Sequence, residues 1–143
     1  IFTEDLPEAH NRVTLDDTLT DGGGLPAPHV DYRIGDNTRR LLAFHAERAQ
    51  ESLRAAGATH LHAEAPVRDS GWHLLGTARM GDDPETSVVD RNLRAHDVPN
   101  LYIADGSVFV TSAGVNPTST VVALAARLAD HLVRSGRSLA VSG

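Results

Sequence analysis

The 143-residue sequence contains no cysteine, so disulfides and thiolate metal centres are excluded. The same absence favours a reducing compartment only weakly, because secreted enzymes can also do without cross-links. No apolar run approaches the roughly 20 residues that a spanning helix needs, and the chain reads as soluble with its compartment open. Basic stripes are missing too. The thirteen Lys and Arg residues are scattered and the net charge is −6, so nucleic acid is not an expected partner. No stretch is biased or repetitive enough to mark disorder or a solenoid. The first residues, Ile1 to Asp5, show neither an initiator methionine nor a signal pattern and read as something other than a natural start.

What remains is a chain with 41% apolar residues and length for one core. Residues 11–16 and 29–34 alternate apolar and polar positions, the pattern of half-buried strands. The loop between them, 20–28, holds Gly22, Gly23, Gly24, Pro26 and Pro28 and must turn the chain. From a cap at Asp36 or Asn37, the residues Leu42, Ala46, Ala49, Leu53 and Ala56 recur at helical spacing, and Gly57 suits the left-handed residue that closes a helix. Residues 59–65 can then run as a strand. After a polar stretch at 66–71 the segment 72–81 fits neither period, and residues 100–105 form a short apolar run typical of a buried sheet strand. The clearest helix start is Asn116 and Pro117. Val121, Leu124, Ala125, Leu128 and Leu132 follow on one face, with Arg134 and Gly136 as a stop and fraying beyond. The fold class expected is α+β.

Four motifs occur in order over residues 72–133: His73-x-x-Gly76-Thr77-x-Arg79-Met80-Gly81; Ser87-Val88-Val89-Asp90; Asn100-Leu101-Tyr102-Ile103-Ala104-Asp105-Gly106-Ser107; and Asn116-Pro117-x-x-Thr120. This ordered set resembles the C-terminal signature of glucose-methanol-choline (GMC) oxidoreductases, and Leu6-Pro7 with residues 11–16 resembles that family's entry into its substrate domain. The resemblance implies FAD as cofactor and oxidation of an alcohol or sugar. His73 would take the proton of a substrate hydroxyl while hydride passes to the flavin N5, and Asn116 would face the flavin beside it. Chemistry is consistent with that division: an alcohol loses hydride only as alkoxide character develops, and imidazole is the ordinary side chain that gains a proton near neutral pH.

Several of these residues also have plainer readings. Asn116 can hold the substrate oxygen or cap the helix that follows. Trp72 can line the pocket against the flavin or sit in the core. Asp105 and Gly106 can approach the cofactor's ribityl chain or phosphates, or make an ordinary turn. Pro117 and Thr118 open a helix whose N-terminus could stabilise charge on the flavin, although any anion would suit it. Arg79 and Met80 read as braces for the loop carrying His73. The other seven histidines, His60-x-His62 included, lack a recognised ligand spacing, and no metal site is expected.

The resemblance assigns residues 1–85 to part of the substrate-binding domain and 86–143 to a segment returning to the FAD-binding domain. No Gly-x-Gly-x-x-Gly turn is present, and Gly22-Gly23-Gly24 lacks the spacing. The partner implied is an N-terminal FAD-binding half, from the same parent chain or a separate subunit, together with a small alcohol or sugar. An aromatic-poor composition leans toward a sugar or polyol. The alternative function is a non-catalytic binding or subunit-interaction domain of the same fold. The resemblance also implies apolar surface that a partner must cover.

Overall fold

The computed structural model describes residues 1–65, 71–112 and 114–141, with side chains in the last helix described to Gly136. The connection read at 66–70 lies outside the described residues. Two compact units are present, Ile1–Ser70 and Gly71–Gly143.

In the first unit, β1 (Arg12–Thr20) pairs antiparallel with β2 (Pro26–Asp31), with Val13 opposite Val30 and Leu15 opposite Pro28. The register shifts between Leu15 and Thr20. Its cause is local: Asp16 Oδ1 accepts from the backbone N–H of Thr18 (2.8 Å) and Leu19 (2.8 Å) and from the Thr18 hydroxyl (2.9 Å), an Asx turn set inside a strand. These donors hold the Asp16 carboxyl below its usual range, the Leu19 N–H most of all. The expected loop at 20–28 is shorter than the glycines and prolines suggested. The Asp21 side chain accepts from the N–H of Gly23 (2.8 Å) and Leu25 (2.9 Å), so five residues complete the reversal. Both prolines fit in β2 because a two-stranded sheet leaves an edge free of donors.

The helix α1 (Asp36–Ala55) starts at Gly35, not at a side-chain cap from Asp36 or Asn37. The Glu8 carboxylate occupies the space left by the missing side chain at Gly35, and Asp36 falls in the first turn where the helix dipole favours a carboxylate. The helix ends as expected at Gly57, at φ +93°. Its N–H bonds to the Arg54 carbonyl (2.9 Å) and that of Ala58 to Leu53 (3.0 Å), a Schellman closure. Asp5 ties the unit together, accepting from the Tyr32 hydroxyl with Oδ2 and from the buried Thr38 hydroxyl with Oδ1 (2.6 Å).

In the second unit the fully buried Val89, Leu93 and Val108 form the core with Ala95 and Leu128, and Met80, Tyr102, Ile103, Phe109 and Leu124 pack around them. Leu93 reaches it with φ +65°, a left-handed conformation costing about 1–2 kcal/mol for a residue with a side chain. The turn around it is over-determined. Asp90 Oδ1 accepts from the N–H of Asn92 (2.7 Å) and Arg94 (3.1 Å), and the Asp90 carbonyl accepts from the Leu93 N–H (2.9 Å).

Helix α2 (Thr118–Val141) closes the unit. Val121, Leu124, Ala125 and Leu128 are half-buried or buried as the spacing predicts, whereas Leu132 is exposed. The expected stop at Gly136 does not occur. Its φ is not positive and the helix runs to Val141, since one glycine weakens a helix interior by only about 1 kcal/mol. Two expected strands are also absent. Residues 59–65 form none among the described residues, and 100–105 contribute only an isolated Arg94–Tyr102 bridge, with Leu101 exposed. A strand exists only as part of a ladder, and neither segment meets a neighbour long enough to make one. No helix among the described residues is long and apolar enough to cross a membrane.

Leu93→Ala is expected to destabilise the complete protein by about 2–5 kcal/mol, read from denaturant midpoints, because strain remains while burial is lost. Partial desolvation of the phenol oxygen of the otherwise exposed Tyr32, and its bond to the Asp5 carboxylate, push the phenol up to about 12. A raised folded pKa stabilises fully below the unfolded value and is lost as pH rises from about 10 to 12. The tyrosinate absorbance difference between the protein and its Tyr32→Phe variant should therefore appear above pH 11, and an ordinary titration near pH 10 would refute the Asp5 clamp.

Candidate functional site

His73 and Asn116 are 43 residues apart, yet His73 Nε2 lies 3.1 Å from Asn116 Oδ1, both on the exposed face of the second unit. Two local structures bring them together. On the histidine side, the segment following His73 runs against the single 3₁₀ turn at Gly106–Val108. The N–H groups of Gly76, Ala78 and Met80 donate to the carbonyls of Gly106 (3.3 Å), Ser107 (2.9 Å) and Val108 (2.9 Å). Gly76 turns the chain into this register at φ +83°, and a side chain there would meet the Phe109 carbonyl at 3.2 Å. Gly106 is the other half of the crossing, since a Cβ there would stand 2.7 Å from Leu75 Cδ2 and 3.4 Å from the Leu74 carbonyl. On the asparagine side, the Pro117 carbonyl accepts from Val121 N–H (3.0 Å) and leads into α2 at Thr118.

Asp105 caps the 3₁₀ turn, with Oδ1 accepting from the Ser107 N–H (2.8 Å) and hydroxyl (2.6 Å). Those bonds, the hydroxyl first, hold its carboxyl below the usual range. It is therefore charged at neutral pH with one oxygen engaged, an arrangement suited to accept from a hydroxyl and unfavourable beside a phosphate. Gly106 serves close approach, but the space it leaves is taken by its own chain at Leu74 and Leu75. Trp72 is 76% exposed and Leu74 81%, so Trp72 is no core residue of this unit. Thr118 is exposed at the first position of α2.

Arg79 and Met80 tie the end of the His73 segment to the residues that follow it. Arg79 Nε donates to the Thr86 carbonyl (2.6 Å), and Met80 bridges to Val89 beside the core. What the sequence reading missed is the crossing itself. Gly76 stood in the motif, but nothing in a single chain distinguishes a glycine needed for positive φ from one needed for space.

A second pair looks chemical at first. Ser87 Oγ lies 2.9 Å from His96 Nε2, the spacing of a nucleophile and its base. The hydroxyl has one proton, however, and donates it to the Asp83 carbonyl. His96 must then donate to Ser87 and cannot activate it, so the pair is a structural tie. Among the described residues no three His, Asp or Glu side chains converge as a metal site.

Gly76→Ala is expected to destabilise the complete protein by at least about 1–2 kcal/mol, the cost of a side chain at positive φ. Gly136→Ala, in a helix with open space at its Cβ, should stabilise by up to about 1 kcal/mol. Melting curves with the same sign for both would contradict the conformations assigned to the two glycines.

Comparison with known proteins places these features in a family. The family model described as GMC oxidoreductase, in its C-terminal part, matches residues 7–125. The 2-methyl-1,2-propanediol dehydrogenase of Mycolicibacterium austroafricanum is 43% identical over 94% of this chain and 24% of its own length. Paromamine 6'-oxidase of Streptomyces fradiae is 42% identical over 95% and 24%, and the fructose dehydrogenase large subunit of Gluconobacter japonicus 37% over 91% and 24%. The chain thus spans about a quarter of the length of these relatives. A crystal structure of pyridoxine 4-oxidase from Mesorbium loti shares the fold, with a TM-score of 0.58 and 21% identity over 89% of this chain and 28% of that one. This α+β chain belongs to the GMC oxidoreductase family.

Proposed function

We propose that the chain supplies the proton-accepting and substrate-positioning groups of an FAD-dependent oxidoreductase acting on the CH–OH group of an alcohol or sugar. The observation that carries this reading is the approach of His73 Nε2 to Asn116 Oδ1 at 3.1 Å on an exposed face.

An amide oxygen only accepts, so the nitrogen facing it carries hydrogen. A neutral Nε2–H tautomer makes the 3.1 Å contact, and the imidazolium formed when His73 takes a substrate proton makes it more strongly. Asn116 Oδ1 lowers the energy of that state. Before transfer, the Nε2 lone pair must face the substrate hydroxyl, and the Asn116 amide N–H groups can hold the same oxygen in line. The substrate loses a proton to His73 and a hydride from carbon, leaving a carbonyl compound. Bound FAD would supply the hydride acceptor.

The residues present fit such a cofactor. The charged Asp105 carboxylate, with one oxygen uncommitted to the Ser107 turn, suits a ribityl hydroxyl, while Gly106 contributes backbone only. The exposed Trp72 offers an aromatic face, and the start of α2 at Pro117 and Thr118 presents the N–H groups and positive dipole end that favour developing negative charge. An N-terminal FAD-binding half, in the same parent chain or a separate subunit, would carry the dinucleotide grip. In that arrangement residues 1–85 contribute to the substrate domain and 86–143 return to the FAD-binding domain.

The substrate class is an alcohol or sugar, with a sugar or polyol favoured. Similarity to relatives named for 2-methyl-1,2-propanediol, paromamine and fructose supports that breadth. A panel of 2-methyl-1,2-propanediol, fructose and paromamine, followed by bleaching of the flavin absorbance, is the direct trial. In the complete protein His73→Ala should slow flavin reduction by about 10²-fold or more with FAD still bound. Asn116→Ala should slow it less and cost at most about 1 kcal/mol of helix stability. Unchanged reduction in His73→Ala would remove the histidine from the mechanism.

A further inference from the structure

We infer that Arg127, acting through Arg91 and Asp82, is a positioning residue that sets the register of α2 against the segment carrying His73. The inference rests on the reading of His73 and Asn116 as the reacting pair. Its basis is a three-residue strap. Arg127, three turns along α2 from Asn116, donates to the Arg91 carbonyl at 2.6 Å. Arg91 in turn donates both Nε (3.0 Å) and a terminal nitrogen (2.6 Å) to the two oxygens of Asp82. Asp82 immediately follows the stretch 73–81, whose other end bears His73. One residue, Arg91, therefore joins the helix behind Asn116 through its backbone and the His73 segment through its side chain.

The strap does what the apolar contacts between these elements cannot. Leu124 and Leu128 press α2 onto the core, and Val121 lies 4.0 Å from the Cβ position of Gly106, but such contacts have little directional preference and tolerate sliding along the helix axis. A guanidinium bonded to one carbonyl and a bidentate Arg–carboxylate pair restrict position and angle through their geometry, although the Arg91–Asp82 pair is exposed and adds little to stability. The fixed element is also well anchored at the far side. Arg91 sits in the turn held by Asp90 and by the buried Leu93, so its carbonyl is a rigid target. A slip of about 1 Å at the N-terminus of α2 would open the His73–Asn116 contact, and misplacement of that size can cost on the order of 10²-fold in rate.

The experiment uses the complete flavin-loaded protein and whichever alcohol of the panel above reduces it fastest. Arg127→Ala should lower the limiting rate of flavin reduction by about tenfold or more with the substrate KM changed less than about threefold. Arg127→Lys, which keeps a cationic donor, should recover most of the rate. Leu128→Ala removes a buried core contact on the same helix and serves as the comparison, with a larger fall in Tm but a smaller fall in rate. A readout independent of turnover is the ¹⁵N signal of His73 Nε2, which should lose its hydrogen-bonded shift in Arg127→Ala and keep it in Leu128→Ala. Equal rate losses in the two alanine variants, or an unmoved His73 signal in Arg127→Ala, would overturn the strap. Should His73→Ala itself leave reduction unchanged while the His73 signal still responds to Arg127, the reading of the pair fails and the register role of Arg127 stands as geometry alone.

Discussion

The second unit depends on one backbone crossing, where residues 76–80 lie against 106–108. Three N–H to carbonyl bonds form it, and two glycines allow it, Gly76 by its positive φ and Gly106 by the room it leaves for Leu75. Val108 and Met80 point from this crossing into the core, while His73 stands on the exposed side. Core and site are therefore two faces of one junction. Because packed interiors deform little, a site built on the back of a core inherits its precision.

The crossing also explains why a small core suffices to hold two distant residues at 3.1 Å. Among the described residues only five are buried hydrophobics, and the regular secondary structure described in the unit is one helix and one 3₁₀ turn. Polar closure of turns replaces ladders. Asp90 closes the turn of Leu93, Asp105 the turn of Ser107 and Asp83 the turn at Glu85. Each is an aspartate accepting a backbone N–H two residues on, a local bond that needs no sheet to support it. The first unit repeats the device with Asp16 inside β1 and Asp21 at the hairpin.

These habits account for what could be read from the sequence. The helix α1 was legible because period, length and the closing Gly57 agree, and the start of α2 because Asn116 and Pro117 precede a regular apolar face. The strands expected at 59–65 and 100–105 do not form, since a short apolar run reports burial, while a strand requires a partner that no local pattern names. The glycine stop at 136 failed for the opposite reason: composition marked an end, but no tertiary contact required one. Motif order brought His73, Asp105 and Asn116 into a single reading, whereas their geometry rests on Gly76, Leu93 and Arg127, residues whose roles depend on φ, burial and reach.

The same geometry separates what this chain determines from what its chemistry needs. A histidine nitrogen and an amide oxygen 3.1 Å apart define which atoms meet, His73 Nε2 and Asn116 Oδ1. The strength of their contact is left to the surroundings, because His73 and Asn116 are exposed and hydrogen bonds gain most where water is excluded. Trp72 and Leu74, which flank His73 at 76% and 81% exposure, are the apolar surface against which such exclusion would be built. A pair held rigidly from behind and left open in front can accept different walls without losing its alignment. Such a division of labour would permit the breadth of names borne by relatives at 37–43% identity over this region: 2-methyl-1,2-propanediol dehydrogenase, paromamine 6'-oxidase and fructose dehydrogenase large subunit.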